Sequence, residues 1–118
     1  MKPKKQDRHA QAPSCEVVLV QTTVGERAEA RAISEVLVGE KLCACAQVSG
    51  PVSSLYRWKG RVNDESEYLL TAKTTRLRYA ALHDRLLQIH PYELPEIIAT
   101  AAVEVNAAYA DWVRQQCA

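Results

Sequence analysis

The stretch from Cys45 to Thr74 constrains the fold more than any other part of the chain, because it reads as one oversized β-hairpin. Lys59-Gly60 forms its tip between Trp58 and Arg61, and a glycine there supplies the positive φ of a tight hairpin turn. On the incoming arm Ala44, Ala46 and Val48 fall on one side. After Gly50-Pro51 the larger Val52, Tyr56 and Trp58 share a side with Ser54. Gly-Pro inside such a pattern marks a bend or bulge rather than a flat central ladder. The returning arm, Val62 to Thr74, sets Tyr68, Leu70 and Ala72 on one face and Leu69 and Thr71 on the other. With regular pairing each arm has about fourteen residues, roughly 45 Å, where an ordinary strand has about five or six. A chain of 118 residues has too little core to cover such an arm, and a bare two-stranded ribbon is marginally stable in water. Another chain is expected to cover it.

The flanking segments supply the rest of the sheet. Glu16 to Thr22 contains the β-branched run Val17-Val18-Leu19-Val20, the pattern of a buried strand. Thr23 with Glu26 fits a capping box, which predicts a helix to about Glu40. Its expected buried face is Ala28, Ala32, Ile33, Val36 and Leu37, with Arg27, Arg31 and Glu35 outside. After the hairpin, Thr75 caps a second helix in which Tyr79, Leu82, Leu86 and Ile89 recur at helical spacing until Pro91 stops it. Ile97 to Val103 reads as a strand, and Asn106 caps a final helix with Tyr109, Trp112 and Val113 on one stripe. The order β-α-β-β-α-β plus a terminal helix predicts an α+β, ferredoxin-like sandwich with both crossover helices on one sheet face. The other face needs a cover, which again points to oligomerisation.

Charge and cysteine usage narrow the function classes. Net charge is +1, but Lys2, Lys4, Lys5 and Arg8 against Asp7 concentrate the basic surplus in residues 1–14. That segment reads as a disordered polar leader, and residues 15–118 as a single domain that is slightly acidic. Such a domain lacks the basic surface that nucleic-acid binding requires. There are no phenylalanines and no aromatic-rich strand of the kind that stacks RNA bases. No segment has the apolar length of a signal peptide core or a membrane span. The four cysteines fit neither a disulfide framework nor a zinc ribbon, so reduced thiols and a cytoplasmic setting are expected, with Cys43 and Cys45 on one strand pointing the same way.

The residues able to carry chemistry cluster in His90-Pro91-Tyr92-Glu93-Leu94-Pro95-Glu96-Ile97, a turn held by two prolines. His90 and Glu93 offer nitrogen and oxygen donors, and Cys45 could add sulfur, a set suited to copper or zinc. The competing interpretation is that the turn only caps and hydrogen bonds, and that Cys45 is ordinary packing. His83, inside the second helix, and His9, in the leader, are not expected to act. Tyr56, Trp58 and Trp112 suit interface anchors or a ligand-stacking surface. No nucleophile–histidine–acid set, phosphate-binding glycine loop or paired-histidine motif is present, so no enzymatic activity is expected.

Several stretches together resemble the CutA divalent cation tolerance proteins. They are Cys45-Ala46-Gln47-Val48, Ser54 to Gly60, Glu67 with Lys73-Thr74, His90 to Ile97, and Tyr109 with Trp112. The resemblance runs from about Val17 to Val113. It implies a homotrimer of ferredoxin-like subunits whose long hairpin supplies intersubunit strand pairing, and a link to copper(II) and other divalent metal ions. It also implies Cys45 and His90 as candidate ligand positions. Where some members carry a further cysteine at the end of the first strand, this chain has Val20. Two functions follow as expectations. One is a trimeric, metal-responsive protein that binds copper(II) weakly. The other is a module like the PII signalling proteins, holding a small ligand in subunit clefts with Tyr92, Glu93, Lys73, Tyr56 and Trp58.

Overall fold

β1 (Val17–Val24) is central, because both of its edges are paired in a four-stranded antiparallel sheet; the structure, a computed structural model, describes residues 16–118. The expected leader and Cys15 lie outside the described residues. After β1 come α1 (Arg27–Gly39), the hairpin strands β2 (Cys45–Trp58) and β3 (Arg61–Thr75), α2 (Arg76–Ile89), β4 (Ile98–Ala101) and α3 (Ala107–Gln116). The sheet order is β2-β3-β1-β4, the order of a ferredoxin-like sandwich.

Side-chain alternation divides the sheet into two unlike faces. Val18, Val20, Val24, Leu70 and Ala72 point to one side and bury Ile33 and Leu37 of α1 and Leu82 and Leu86 of α2. Val17 points the other way and packs with Ala110, Val113 and Cys117 of the α3 segment. Beside that patch lie Leu19, Lys73 and Cys45, which share one cross-strand row on the second face.

The hairpin follows the sequence pattern closely. Lys59 and Gly60 carry φ of 50° and 77°, as a two-residue tip requires. Its ladder slips between Ser49 and Val52, giving a bulge at Gly50-Pro51. Gly50 has φ +134°, and a Cβ there would lie 3.0 Å from the Glu67 carbonyl oxygen and 3.1 Å from the Tyr68 ring. β1 ends at the Val24–Tyr68 pair, so among the described residues β2 is the sole strand neighbour of residues 61–67 of β3. This projection stretches the molecule to 57 × 25 × 22 Å.

Four expectations change. Thr23 and Glu26 form no capping box: Thr23 and Val24 pair with Leu69 and Tyr68, and Glu26 becomes an N-cap without a side-chain bond. Two further rungs of ladder outweigh one cap. α1 is consequently rotated, burying Ala30, Ile33, Ser34 and Leu37 while Ala28 and Ala32 are exposed. Ser34 tolerates burial by donating its hydroxyl to the Ala30 carbonyl at 2.8 Å. β4 is shorter than the expected 97–103, and Tyr109 and Trp112 lie outside the buried stripe of α3, 38% and 40% exposed. Thr75 and Asn106 cap as expected, accepting from the amides of Arg78 at 3.2 Å and Ala108 at 3.0 Å.

Replacing Gly50 with alanine forces a left-handed residue against a carbonyl and an aromatic ring. A loss of roughly 1–3 kcal/mol is expected, read as a fall in the thermal midpoint relative to the parent.

Candidate functional site

His90 sits where α2 must stop, because Pro91 can neither donate nor continue the helix. Its own amide still bonds the Leu86 carbonyl at 2.9 Å, which fixes the backbone and aims the ring back at the end of β1. The ring is buried, and both nitrogens are engaged. Nε2 lies 2.9 Å from the Thr22 hydroxyl and 3.1 Å from the Thr23 carbonyl oxygen. Nδ1 accepts from the Tyr92 amide at 3.1 Å. A carbonyl can only accept and an amide can only donate, so the proton belongs on Nε2 and the free lone pair on Nδ1. Burial lowers the His90 pKa below the ordinary 6.5, keeping the ring neutral.

Tyr92 extends this arrangement to the hairpin. Its ring meets the His90 ring edge-on at a centroid distance of 5.0 Å, and its hydroxyl donates to Glu67 Oε2 at 2.6 Å. Burial and the Glu67 carboxylate both raise the Tyr92 pKa, so the phenol remains a donor. Further along the ribbon the Tyr56 hydroxyl donates to Glu65, which raises its pKa in turn. Arg27 covers the Tyr68 ring at 4.8 Å and donates to the Gly50 carbonyl at 3.2 Å, tying α1 to the bulge.

The expected ligands do not assemble within one subunit. Thr22, in a row with Leu70 and Val48, faces the helices, and His90 meets it there. Cys45 pairs with Lys73 on the row that points to the opposite face. Glu93 is exposed in the turn. Among the described residues no group of three or more His, Cys, Asp or Glu is placed to hold a metal ion. The small-ligand candidates divide similarly. Tyr92 and Tyr56 each donate to a hairpin carboxylate, Trp58 stays at the tip with Lys59 Nζ 5.7 Å from its ring centroid, and Lys73 approaches Tyr109 at 5.8 Å. Trp112 lies on α3, 5.5 Å from Tyr109 between ring centroids. Cys43 is not on a strand with Cys45; it precedes β2 and belongs to the helix-side core.

Two contributors escaped sequence reasoning. Thr22 interrupts the run Val18, Val20, Val24 on the core-facing side, and a wholly buried hydroxyl there signals a polar partner. Glu67 gave no such sign, since its role depends on a turn 25 positions away.

The family model for the CutA1 divalent ion tolerance protein matches residues 18–116. This chain belongs to the CutA1 family. It is 42% identical over 100 residues to the divalent-cation tolerance protein CutA of Thermus thermophilus, covering 85% of this chain and 95% of that one. The human protein CutA is 37% identical over 86 residues, 73% of this chain but 48% of the longer human sequence. Among solved structures, CutA from Synechococcus elongatus aligns with a TM-score of 0.84 at 34% identity, covering 88% of this chain and 92% of that one. The Thermus thermophilus CutA1 structure aligns with a TM-score of 0.83 at 38% identity, covering 86% and 99%. These CutA relatives share the α+β architecture of a four-stranded antiparallel sheet with helices.

Cys43, Cys45 and Cys117 are all free thiols. Burial, with Cys117 and Cys45 nearby, pushes the Cys43 pKa up to about 12, and burial also raises that of Cys117. Iodoacetamide at pH 8 should therefore leave both unmodified in the native protein and label both after unfolding, as read by peptide mass spectrometry. A reductant should leave the melting temperature unchanged.

Proposed function

We propose that this CutA-family chain works as a cytoplasmic homotrimer that binds divalent copper weakly, and that it is a binding protein rather than an enzyme. The observation that carries this reading is the ribbon beyond Tyr68. Among the described residues it has no third strand, and Leu55 and Val62 stand 73% and 60% exposed on it. A bare ribbon with apolar flanks is a strand-pairing surface, and further copies of the chain are its natural partner. Tyr56, Trp58 and Trp112 are proposed to anchor that interface. Free thiols, with Cys43 and Cys117 buried, suit the reducing cytoplasm.

The copper assignment rests on a neutral, positioned imidazole. A cation would take His90 at Nδ1, since Nε2 carries its proton into the core. Glu93, three residues on, is proposed as an oxygen donor, with water filling the remaining positions. Cys45, on the other sheet face, belongs to no shared ion with His90 in one subunit and would act only across subunits. A two-donor site that must displace an amide binds weakly, which suits a response to metal excess rather than permanent storage. Because ligation needs the unprotonated ring and burial lowers the His90 pKa, copper affinity should decline with acid only below the ordinary 6.5.

One arrangement favours the small-ligand alternative. Tyr92 and Tyr56, each bonded to a hairpin carboxylate, gather polar and aromatic groups along one side of the ribbon. Stabilisation by nucleotides together with indifference to copper would support that reading.

Light scattering is expected to give a trimer mass, with Trp58→Asp impairing assembly. Within the trimer, calorimetric titration should show His90→Ala weakening Cu(II) binding by about tenfold or more, Cys45→Ser by less, and His83→Ala hardly at all. A monomer, or parent-like copper affinity in His90→Ala, would contradict the proposal.

A further inference from the structure

We infer that in the assembled protein the hairpin tip of one copy docks in the groove between α1 and α2 of the next, with Trp58 on the apolar floor and Lys59 and Arg61 beside Glu29. This rests on the trimer reading above and names the surface that the end of the ribbon meets. The tip is an aromatic ring set among cations. Trp58 pairs with Arg61 across the ribbon, and Lys59 Nζ lies 5.7 Å from the Trp58 ring centroid. Trp58 is 37% exposed. Among the described residues no carboxylate forms an ion pair with Arg57, Lys59 or Arg61. Tryptophan and arginine are the residue types that dominate binding energy where proteins meet.

The groove has the complementary character. It is lined by Glu29, Ala32 and Ile33 of α1 and by Ile89 and Pro91 at the end of α2, with a volume of about 190 Å³. Four of the five are apolar, and Glu29 has no ion-pair partner among the described residues. An indole ring can cover such a floor while lysine and arginine heads reach a carboxylate at its margin. The tip does not fill the groove of its own chain. Residues 61–67 carry it roughly 23 Å past the last pairing with β1, away from the helices that pack on the sheet. A patch and a groove at separate places on one chain make a head-to-tail contact, which closes into a ring when the rotation between copies permits. A trimer is such a ring, so each copy gives one tip and receives another.

The contact recurs at every interface of the trimer, so reversing its charges should be felt in assembly. Glu29→Lys, or the tip variant Lys59→Glu/Arg61→Glu, should raise the trimer dissociation constant by about tenfold or more, read by light scattering along a urea series. Joining all three substitutions should recover most of that loss, because opposite charges face each other again. Ala32→Lys, at an exposed helix position away from the core, gives a second reading. With Trp112→Phe leaving Trp58 as the sole tryptophan, Ala32→Lys should increase acrylamide quenching of Trp58 at concentrations where scattering still gives a trimer. Charge reversals without effect overturn the docking, as does a combined variant that assembles no better than the weaker of its components. Unaltered Trp58 quenching in Ala32→Lys overturns it too. The mass of the parent separates the two levels of failure. A monomeric parent removes the trimer reading and the docking together, whereas a trimeric parent without charge rescue leaves the trimer standing and overturns the docking alone.

Discussion

A strand edge carries a row of amides and carbonyls that must be paired or hydrated, and this molecule leaves an unusually long one beyond the end of β1. The rest of the structure can be read from that constraint. β1 covers one edge of β3 only as far as Tyr68, while the two arms run on together to Lys59-Gly60. The bulge at Gly50-Pro51 lies where support from the sheet stops, and a bulge bends the strand that carries it. The Arg27 contacts with Tyr68 and Gly50 and the Tyr92 contact with Glu67 all converge on this junction. Polar groups that look scattered in the sequence thus brace one mechanical point.

The candidate ion site and the proposed assembly surface are consequently neighbours. His90 is oriented by the end of α2 and by Thr22 and Thr23 at the end of β1, and Tyr92 carries the arrangement across to β3. Cys45 belongs to the other sheet face, with Lys73 and Leu19. Parity alone decides this: a strand sends successive side chains to opposite sides, and no rotamer undoes it. The two candidate ligands are close in motif but apart in space. A contribution from Cys45 to an ion at His90 would have to come from another copy.

Much of the fold was legible because its signals were local. Lys59-Gly60, Gly50-Pro51, the caps Thr75 and Asn106, and the stop at Pro91 each act within a few residues, and each stands where the sequence placed it. Thr23 and Glu26 show the limit. Their spacing fits a cap, but pairing of Thr23 with Leu69 and Val24 with Tyr68 extends the strand instead, and α1 turns to bury Ala30 and Ser34. The site was legible only in part for the same reason. The proline-held turn and His90 stand out in the sequence, whereas Thr22 and Glu67 acquire their roles from partners 68 and 25 positions away.

The central claim is that residues 52–58 and 61–67 are interior strands of an assembly rather than a free ribbon. Native-state hydrogen exchange on the unmodified protein, resolved by residue, tests it most directly. If copies of the chain pair along the ribbon, the outward amides of both arms will be protected to a degree comparable with those of β1. Outward amides that exchange as fast as an open hairpin, while β1 remains protected, would contradict the account.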